Sequence, residues 1–298
     1  MITIKRYAAI DIGSNAMRLL VSNIVEQEGK DTQFNKSSLV RVPIRLGQDV
    51  FTVGEISDEN IERMIDAMKA YKLLMKVHRV EQYKACATSA MREADNNRDI
   101  VEIIQHEADI HIDIIDGKKE AAIIASSDLK EYIATDKTYL YVDVGGGSTE
   151  LTLYHKSNII LQKSFNIGTV RILTKKVKDE TWDEMKEILK ELSKKFENII
   201  GIGSGGNINK LFSISGAKAG KSISYETLKD IYKEMEPLAI DERMKKYTIK
   251  EDRAEVIVPA LTIYNAICKW SNISEIHVPK IGLADGLIHH LYDMVIHD

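Results

Sequence analysis

Cysteine is scarce in this 298-residue chain, which contains only Cys86 and Cys268. Both stand in apolar stretches far apart in the sequence, so we expect two buried thiols and no disulfide framework. The N-terminal residues run directly into a predicted strand and do not have the pattern of a signal peptide. Together these features favour the reducing cytoplasm as the compartment of the protein.

Long hydrophobic runs are also absent. The most apolar stretch, residues 256–268, is interrupted by Thr262 and Asn265 and is too short to span a bilayer. We therefore expect a core helix at this position and no membrane partner. The formal net charge is −4, so an anionic partner would have to meet a local basic patch, and no specific nucleic-acid partner is expected.

Signatures of zinc and acyl chemistry are missing. The eight histidines show no spacing typical of metal ligands. No GxSxG motif and no Cys–His arrangement points to a nucleophilic serine or cysteine. These absences exclude the commonest zinc and acyl-transfer enzymes.

Two short segments of the chain repeat one pattern. An Asp ends an apolar run, a Gly follows two positions later, small polar residues come next, and a second apolar run begins; the two Asp residues are Asp11 and Asp143. The pattern predicts strand, tight turn and strand, because Gly permits the positive φ angles of such a turn. Consecutive amides in the turn can form a concave nest for an anion. Two copies predict two facing phosphate-binding hairpins in a duplicated fold.

The order of predicted elements is duplicated as well. The first series has strands at 5–12, 17–26, 33–42, 82–87 and 110–115, a loop around Arg45, a helix capped by Ser57, one helix over 90–107 and another from about 118. After a polar joint at 134–137, strands at 138–144, 149–154, 159–165, 198–202 and 275–278 alternate with helices at 181–196, 206–213, 225–236, 251–269 and 283–296. This order predicts an α/β protein with two βββαβαβα domains. We expect one domain over 1–122, joined by the C-terminal helix 283–298, and a second over 123–282.

Two further glycine clusters admit different interpretations. Residues 201–206 match the GxGxxG dinucleotide pattern, but no acidic residue stands on a following strand to bind a ribose. A helix N-terminus presented by Gly205 and Gly206 still favours a phosphate or nucleotide contact. Residues 216–222 approach a P-loop but have the wrong spacing, which favours a solvated basic loop.

Seven motifs together resemble the Ppx/GppA family of exopolyphosphatases and guanosine pentaphosphate phosphohydrolases, a branch of the actin-like superfamily. They cover essentially the whole chain in the order seen in that family, at residues 11–15, 87–92, 116–121, 143–151, 165–171, 252–257 and 282–287. The resemblance implies two actin-like, ribonuclease H-like domains that flank a cleft.

The resemblance also implies roles for individual residues. Glu120 matches the catalytic base of the family, and Asp143 and Glu150 match the acidic positions that hold Mg²⁺ (or Mn²⁺) and the attacking water. The positions with implied or predicted phosphate contacts are Asp11, Gly13, Ser14, Asn15, Arg92, Gly145, Gly146, Gly147, Ser148, Gly205 and Gly206.

We therefore expect a metal-dependent phosphohydrolase that releases terminal phosphate from inorganic polyphosphate or pppGpp by attack of water on a phosphoanhydride. A non-catalytic sensor of these ligands stays open, because Lys119 and Ala122 replace residues that are often Glu and Arg in the family. An actin-like kinase is disfavoured by the missing nucleotide signature. The choice of substrate and the oligomeric state, a homodimer included, are left open. The chain is also expected to lack the C-terminal helical domains of long family members.

Overall fold

The computed structural model describes residues 1–125, 133, 136–218 and 220–297. The chain divides into two compact units, one formed by Met1–Ser127 with Leu283–Asp298 and the other by Asp128–Gly282. Residues 134 and 135 of the predicted joint lie outside the described residues.

The first unit is built on a five-stranded mixed sheet in the order β3-β2-β1-β4-β5. Strand β1 pairs antiparallel with β2 and parallel with β4. The strands are β1 (Ile2–Ile12), β2 (Met17–Gln27), β3 (Gln33–Val42), β4 (Gln82–Ala87) and β5 (Ile112–Ile114). The helices are α1 (Leu46–Val53), α2 (Asp58–Val77), α3 (Ser89–Glu93), α4 (Asn97–Ala108), α5 (Gly117–Ala125) and, from the end of the chain, α12 (Leu283–His297).

Local sequence signals account for several of these elements. Residues 7–12 of β1 are all buried, as expected of a central strand covered on both faces. The predicted cap of α2 is confirmed, since the Ser57 side chain accepts a hydrogen bond from the Asn60 amide.

Two predictions in the first unit were wrong. The segment after β3 was predicted to be a loop, but its apolar residues Leu46, Val50 and Phe51 are buried on one side of helix α1. The single helix predicted over 90–107 is two helices. Between them, the Asn96 side chain accepts from the Ile56 amide and donates to the Ile56 carbonyl, so tertiary contacts outweigh local helix propensity.

Helix α12 packs against β1, β4 and α5 within the first unit. Gly286 of α12 lies directly on the backbone of α5, where a Cβ atom would stand 2.7 Å from the carbonyl carbon of Ile123. An ion pair between Lys36 and Asp285 (2.7 Å) ties the same helix to β3. The hydroxyl of Tyr292 donates to Glu26 on β2 (2.8 Å).

The second unit is built on a six-stranded sheet in the order β10-β11-β9-β6-β7-β8. Without β10, its strand order and directions repeat those of the first unit. The strands are β6 (Thr138–Val144), β7 (Thr149–His155), β8 (Asn158–Phe165), β9 (Ile200–Ser204), β10 (Ser222–Ser224) and β11 (Glu275–His277). The helices are α6 (Thr169–Leu173), α7 (Asp179–Lys195), α8 (Gly205–Ile214), α9 (Tyr225–Met235), α10 (Ile240–Tyr247) and α11 (Glu251–Ser271).

Three elements of the second unit were not predicted: α6, β10 and α10. The first two have five and three residues, too few to show a periodicity. Helix α10 fully buries none of its residues, and its only apolar residues are Ile240, Met244 and Tyr247, too few in eight residues to predict a helix. The core helix predicted over 251–269 is confirmed as α11. Among the described residues, no helix is long and apolar enough to cross a membrane.

Candidate active site

The second hairpin places two predicted carboxylates side by side. Asp143, near the end of β6, is directly opposite Glu150 of β7 in the antiparallel ladder. Residues opposite each other project to the same face of a sheet, with Cβ atoms about 4.5–5.5 Å apart. Glu150 is only 2% exposed. Ser164, opposite Glu150 on β8, donates its hydroxyl to Glu150 Oε1 at 2.8 Å.

The start of α6 forms hydrogen bonds to the turn between these strands. Thr169 N donates to the Gly145 carbonyl (3.0 Å) and Val170 N to the Gly146 carbonyl (2.8 Å). The side chain of Arg171 donates from Nε to the Gly147 carbonyl at 2.8 Å. The approach is close because Gly168 has no side chain: a Cβ there would lie 2.5 Å from the carbonyl carbon of Gly147.

The amides of this turn fall into two groups. Gly145 N donates to the Ser148 carbonyl (2.9 Å) and closes the turn, so this predicted phosphate donor is already engaged. Within the described part of the chain, the amides of Gly146, Gly147 and Ser148 have no backbone acceptor. Successive turn amides with no backbone acceptor are the donors that an anion-binding nest requires.

Helix α8 begins beside Asp143. Strands β6 and β9 are parallel with Asp143 opposite Ser204, and α8 follows β9 at once. Gly205 has φ 90°, a conformation that favours glycine, and a Cβ on it would lie only 2.9 Å from Asp143 Oδ1. Both the backbone conformation and the lack of space therefore favour glycine at this position. The carboxylate pair, the glycine turn and the N-terminus of α8 therefore lie at one end of the second sheet.

Gly206 reveals a residue to which the sequence analysis assigned no role. A Cβ on Gly206 would lie 2.7 Å from Nη2 of Arg253, whose Nη1 also donates to Asn207 Oδ1 at 2.5 Å. Arg253 belongs to the motif at 252–257 that supports the family resemblance, and only that motif could have pointed to it from the sequence. Its guanidinium adds a full positive charge at the N-terminus of α8.

The first hairpin repeats the construction of the second. Gly13 N donates to the Ala16 carbonyl (3.2 Å) and closes the turn. Gly47 N donates to the Ser14 carbonyl (2.8 Å), and Arg45 N donates to the Asn15 carbonyl (3.1 Å). The start of α1 thus supports residues 13–16 as the start of α6 supports residues 145–148.

The charges of the two hairpins differ at equivalent positions. Asp11 is opposite Arg18, which in turn is opposite Arg41 on β3. Arg18 Nη1 forms an ion pair with the buried Asp11 carboxylate (2.5 Å), so Asp11 positions an arginine in the first unit. Glu150 takes the place of Arg18 in the second unit. Two carboxylates therefore meet only in the second of these hairpins.

Arg92 and Glu120 belong to neighbouring turns of the first unit. Arg92 of α3 donates from Nη1 to the Ile115 carbonyl at 2.8 Å, just before α5. Asp116 Oδ1 accepts from the Lys119 amide (2.7 Å), which holds the pKa of Asp116 below its usual value and caps α5. Glu120 stands in the first turn of α5 and is 8% exposed. Arg92 and the cap thus fix the start of the helix that carries Glu120.

Two duplicated sheets with a glycine turn after the first strand of each define an α/β protein of the actin-like class. The family model for the "Ppx/GppA phosphatase family" matches residues 30–295, and the chain belongs to that family. The predicted family and fold class are confirmed. A solved structure of the Aquifex aeolicus family member aligns over 99% of both chains with a TM-score of 0.75 and 26% identity. An exopolyphosphatase structure from Cytophaga hutchinsonii aligns with a TM-score of 0.83 over 97% of this chain and 98% of that chain, but at 23% identity it supports the fold alone.

Relatives with named activities match parts of their own length. Exopolyphosphatase 2 of Mycobacterium tuberculosis is 31% identical over 175 residues, which is 56% of this chain and 53% of the relative. A guanosine-5'-triphosphate,3'-diphosphate pyrophosphatase of Aliivibrio fischeri is 25% identical over 98% of this chain and 60% of the relative. A bifunctional 3-dehydroquinate synthase/phosphatase of Fusobacterium nucleatum is 34% identical over 62% of this chain and 30% of the relative. The chain spans less than two thirds of each of these proteins.

Proposed function

We propose that this protein is a metal-dependent phosphohydrolase that removes a terminal phosphate from a phosphoanhydride chain. The observation that carries the proposal is the Asp143–Glu150 pair next to the amide nest of residues 146–148. Paired carboxylates suit a hard cation, and a nest of amides suits a phosphate oxygen. Both lie at the same end of the second sheet, so a metal ion and the phosphate that it contacts could bind side by side there. Family membership supports the same chemistry.

The donor set fits Mg²⁺ or Mn²⁺. In the described part of the chain, no group of three or more His, Cys, Asp or Glu residues is arranged to hold a metal ion. Mg²⁺ commonly uses one or two carboxylates and completes its shell with water and substrate phosphate, which matches Asp143 and Glu150. When bound, such an ion supplies neutralisation of negative charge on the phosphate oxygens.

The remaining groups have distinct roles in the proposed reaction. The amides of Gly146, Gly147 and Ser148 bind non-bridging oxygens of the terminal phosphate and stabilise the charge that develops there. Glu120 accepts a proton from the attacking water. The water oxygen bonds to phosphorus as the bond to the bridging oxygen breaks, and the shortened phosphate chain leaves with that oxygen. We also propose a cytoplasmic location, with which two free, buried cysteines are compatible.

The substrate class is a phosphoanhydride chain, and the names of the relatives give two candidates, polyphosphate and a guanosine polyphosphate. A sensor that binds without hydrolysis is the second candidate function, favoured by Lys119 and Ala122 at the base motif. Incubation with Mg²⁺ and tripolyphosphate, long polyphosphate or pppGpp, followed by phosphate release, distinguishes them. Release identifies the enzyme and its substrate, whereas saturable binding of the same ligands with no release identifies a sensor.

Metal dependence gives the first test of the carboxylate pair. We expect excess EDTA to abolish phosphate release and Mg²⁺ or Mn²⁺ to restore it. Asp143→Asn should raise the half-saturating Mg²⁺ concentration and lower kcat, each by about tenfold or more, because one anionic ligand is lost. The matched control is Asp179→Asn, an exposed carboxylate of the same unit. Full activity in excess EDTA would contradict the assignment.

Salt dependence tests how the substrate is held. If phosphate contacts dominate, KM for tripolyphosphate should rise steeply between about 50 and 500 mM salt, because the Debye length falls over this range. Arg92→Ala should flatten this dependence, and Lys76→Ala, an exposed cation of the same unit, should not. A KM that ignores salt would instead indicate contacts to a base or to apolar groups. The measurement is a series of initial rates at constant Mg²⁺ activity.

A further inference from the structure

We propose that Arg171 is a positioning residue that aims the amide nest of the second hairpin at the terminal phosphate. The proposal rests on the proposed function for its consequence in catalysis. Arg171 is the last residue of the motif at 165–171, and the family resemblance implied no role for it. It does not have to touch substrate in order to act, since it acts through the peptide groups of residues 146–148.

Peptide geometry provides the first step. Each peptide group is planar and trans, so its carbonyl and the N–H of the next residue point in opposite directions. Holding the Gly146 carbonyl therefore aims the Gly147 amide, and holding the Gly147 carbonyl aims the Ser148 amide. The Arg171 side chain holds the Gly147 carbonyl through Nε (2.8 Å), while the Gly146 carbonyl is shared by the main-chain amides of Val170 (2.8 Å) and Arg171 (3.2 Å).

The turn needs such support because of its composition. Three consecutive glycines have no side chains to restrict their φ and ψ angles, and glycine loses more conformational freedom on ordering than any other residue. A nest that samples many orientations would bind a developing charge weakly, because preorganised dipoles stabilise a transition state. The hydrogen bonds from α6 fix these peptides before substrate arrives.

The first hairpin shows that a charged side chain is not required to hold such a turn. At the position equivalent to Gly147, the Asn15 carbonyl accepts its hydrogen bond from the backbone amide of Arg45 (3.1 Å). The second hairpin uses a guanidinium that is 7% exposed. Burying a charge is unfavourable in itself. A charged donor gives a stronger hydrogen bond and adds positive potential behind the nest, which suits an anionic substrate.

The test combines nuclear magnetic resonance with kinetics. Wild type, Arg171→Met, Arg171→Lys and the control Lys176→Ala, an exposed cation just after α6, are labelled with ¹⁵N-glycine and ¹⁵N-serine. In Arg171→Met we expect the Ser148 amide signal to shift or broaden most, while Gly201 and Gly203 of β9 keep their positions. Lys176→Ala should leave all of these signals unchanged. If Arg171→Met does not fold, Arg171→Lys carries the measurement, because lysine has no Nε–H at that place.

Kinetics separate positioning from mere support. In Arg171→Met, we expect KM for tripolyphosphate to rise and kcat to fall, each by about tenfold. This loss of kcat is smaller than the roughly 10²–10³-fold loss that follows removal of an oxyanion-hole donor, because the amides remain and only their orientation is relaxed. Arg171→Lys should recover KM, which follows charge, but not kcat, which follows orientation. A purely structural role would lower the melting temperature and leave KM unchanged. That result, or an unshifted Ser148 amide in folded Arg171→Met, overturns the proposal. If wild type releases no phosphate from any substrate, the proposed function fails and the amide signals still decide whether Arg171 orders the nest.

Discussion

Replacement of Glu120 by Gln is expected to lower kcat by about 10²–10⁴-fold with little change in KM. The two side chains have the same size, so Gln should occupy the same buried place in the first turn of α5. An amide cannot take a proton from water near neutral pH, and the attacking water then loses its base. Phosphate release from tripolyphosphate under saturating Mg²⁺ measures the effect.

The control for this variant is Glu102→Gln, which changes an exposed carboxylate on α4 of the same unit. It should retain wild-type kcat and KM. Binding of tripolyphosphate to Glu120→Gln, measured calorimetrically, should remain within about threefold of wild type if the residue acts in the chemical step. Turnover close to that of wild type would remove Glu120 from the proposed mechanism.

Gly286→Val is expected to destabilise the first unit strongly. A Cβ at this position would meet the carbonyl group of Ile123, and backbone cannot move aside as a flexible side chain can. We expect unfolding free energy to fall by about 2–4 kcal/mol, within and slightly above the usual range for overpacking. This corresponds to a melting temperature lower by about 5–15 °C.

Activity should decline together with stability in this variant, because α5 carries Glu120 and must shift if α12 is pushed away. Gly282→Ala is the matched control, since a Cβ there would have nothing within 4 Å. Thermal unfolding and phosphate release should both be unchanged in the control. Wild-type melting of Gly286→Val would show that α12 and α5 do not depend on this close crossing.

The sequence predicted those parts of the fold that depend on local pattern. The bounds of β3, β4 and β6 agree with the prediction because apolar runs between turn residues define strands without reference to the rest of the chain. The break between α3 and α4 could not be predicted, because it depends on Asn96 meeting Ile56 forty residues away. Helix α6 is too short to be recognised by period.

The candidate site shows the same division. Motifs predicted which residues to consider, and the hairpin pattern predicted that Asp143 and Glu150 would flank one turn. Motifs could not predict how individual atoms are used. The Gly145 amide closes the turn, and Arg92 Nη1 bonds the Ile115 carbonyl. Such pairings follow from the packing of segments that lie far apart in sequence.

The duplicated hairpins separate architecture from chemistry. In both units, main-chain hydrogen bonds close the turn and anchor it to the following helix, so the scaffold makes few demands on the side chains that project from the strands. Arg18 in one copy and Glu150 in the other occupy the same register position opposite an Asp. After a duplication, mutation could therefore reverse the charge at this position while the backbone kept its shape. The two units could then come to bind ligands of opposite charge.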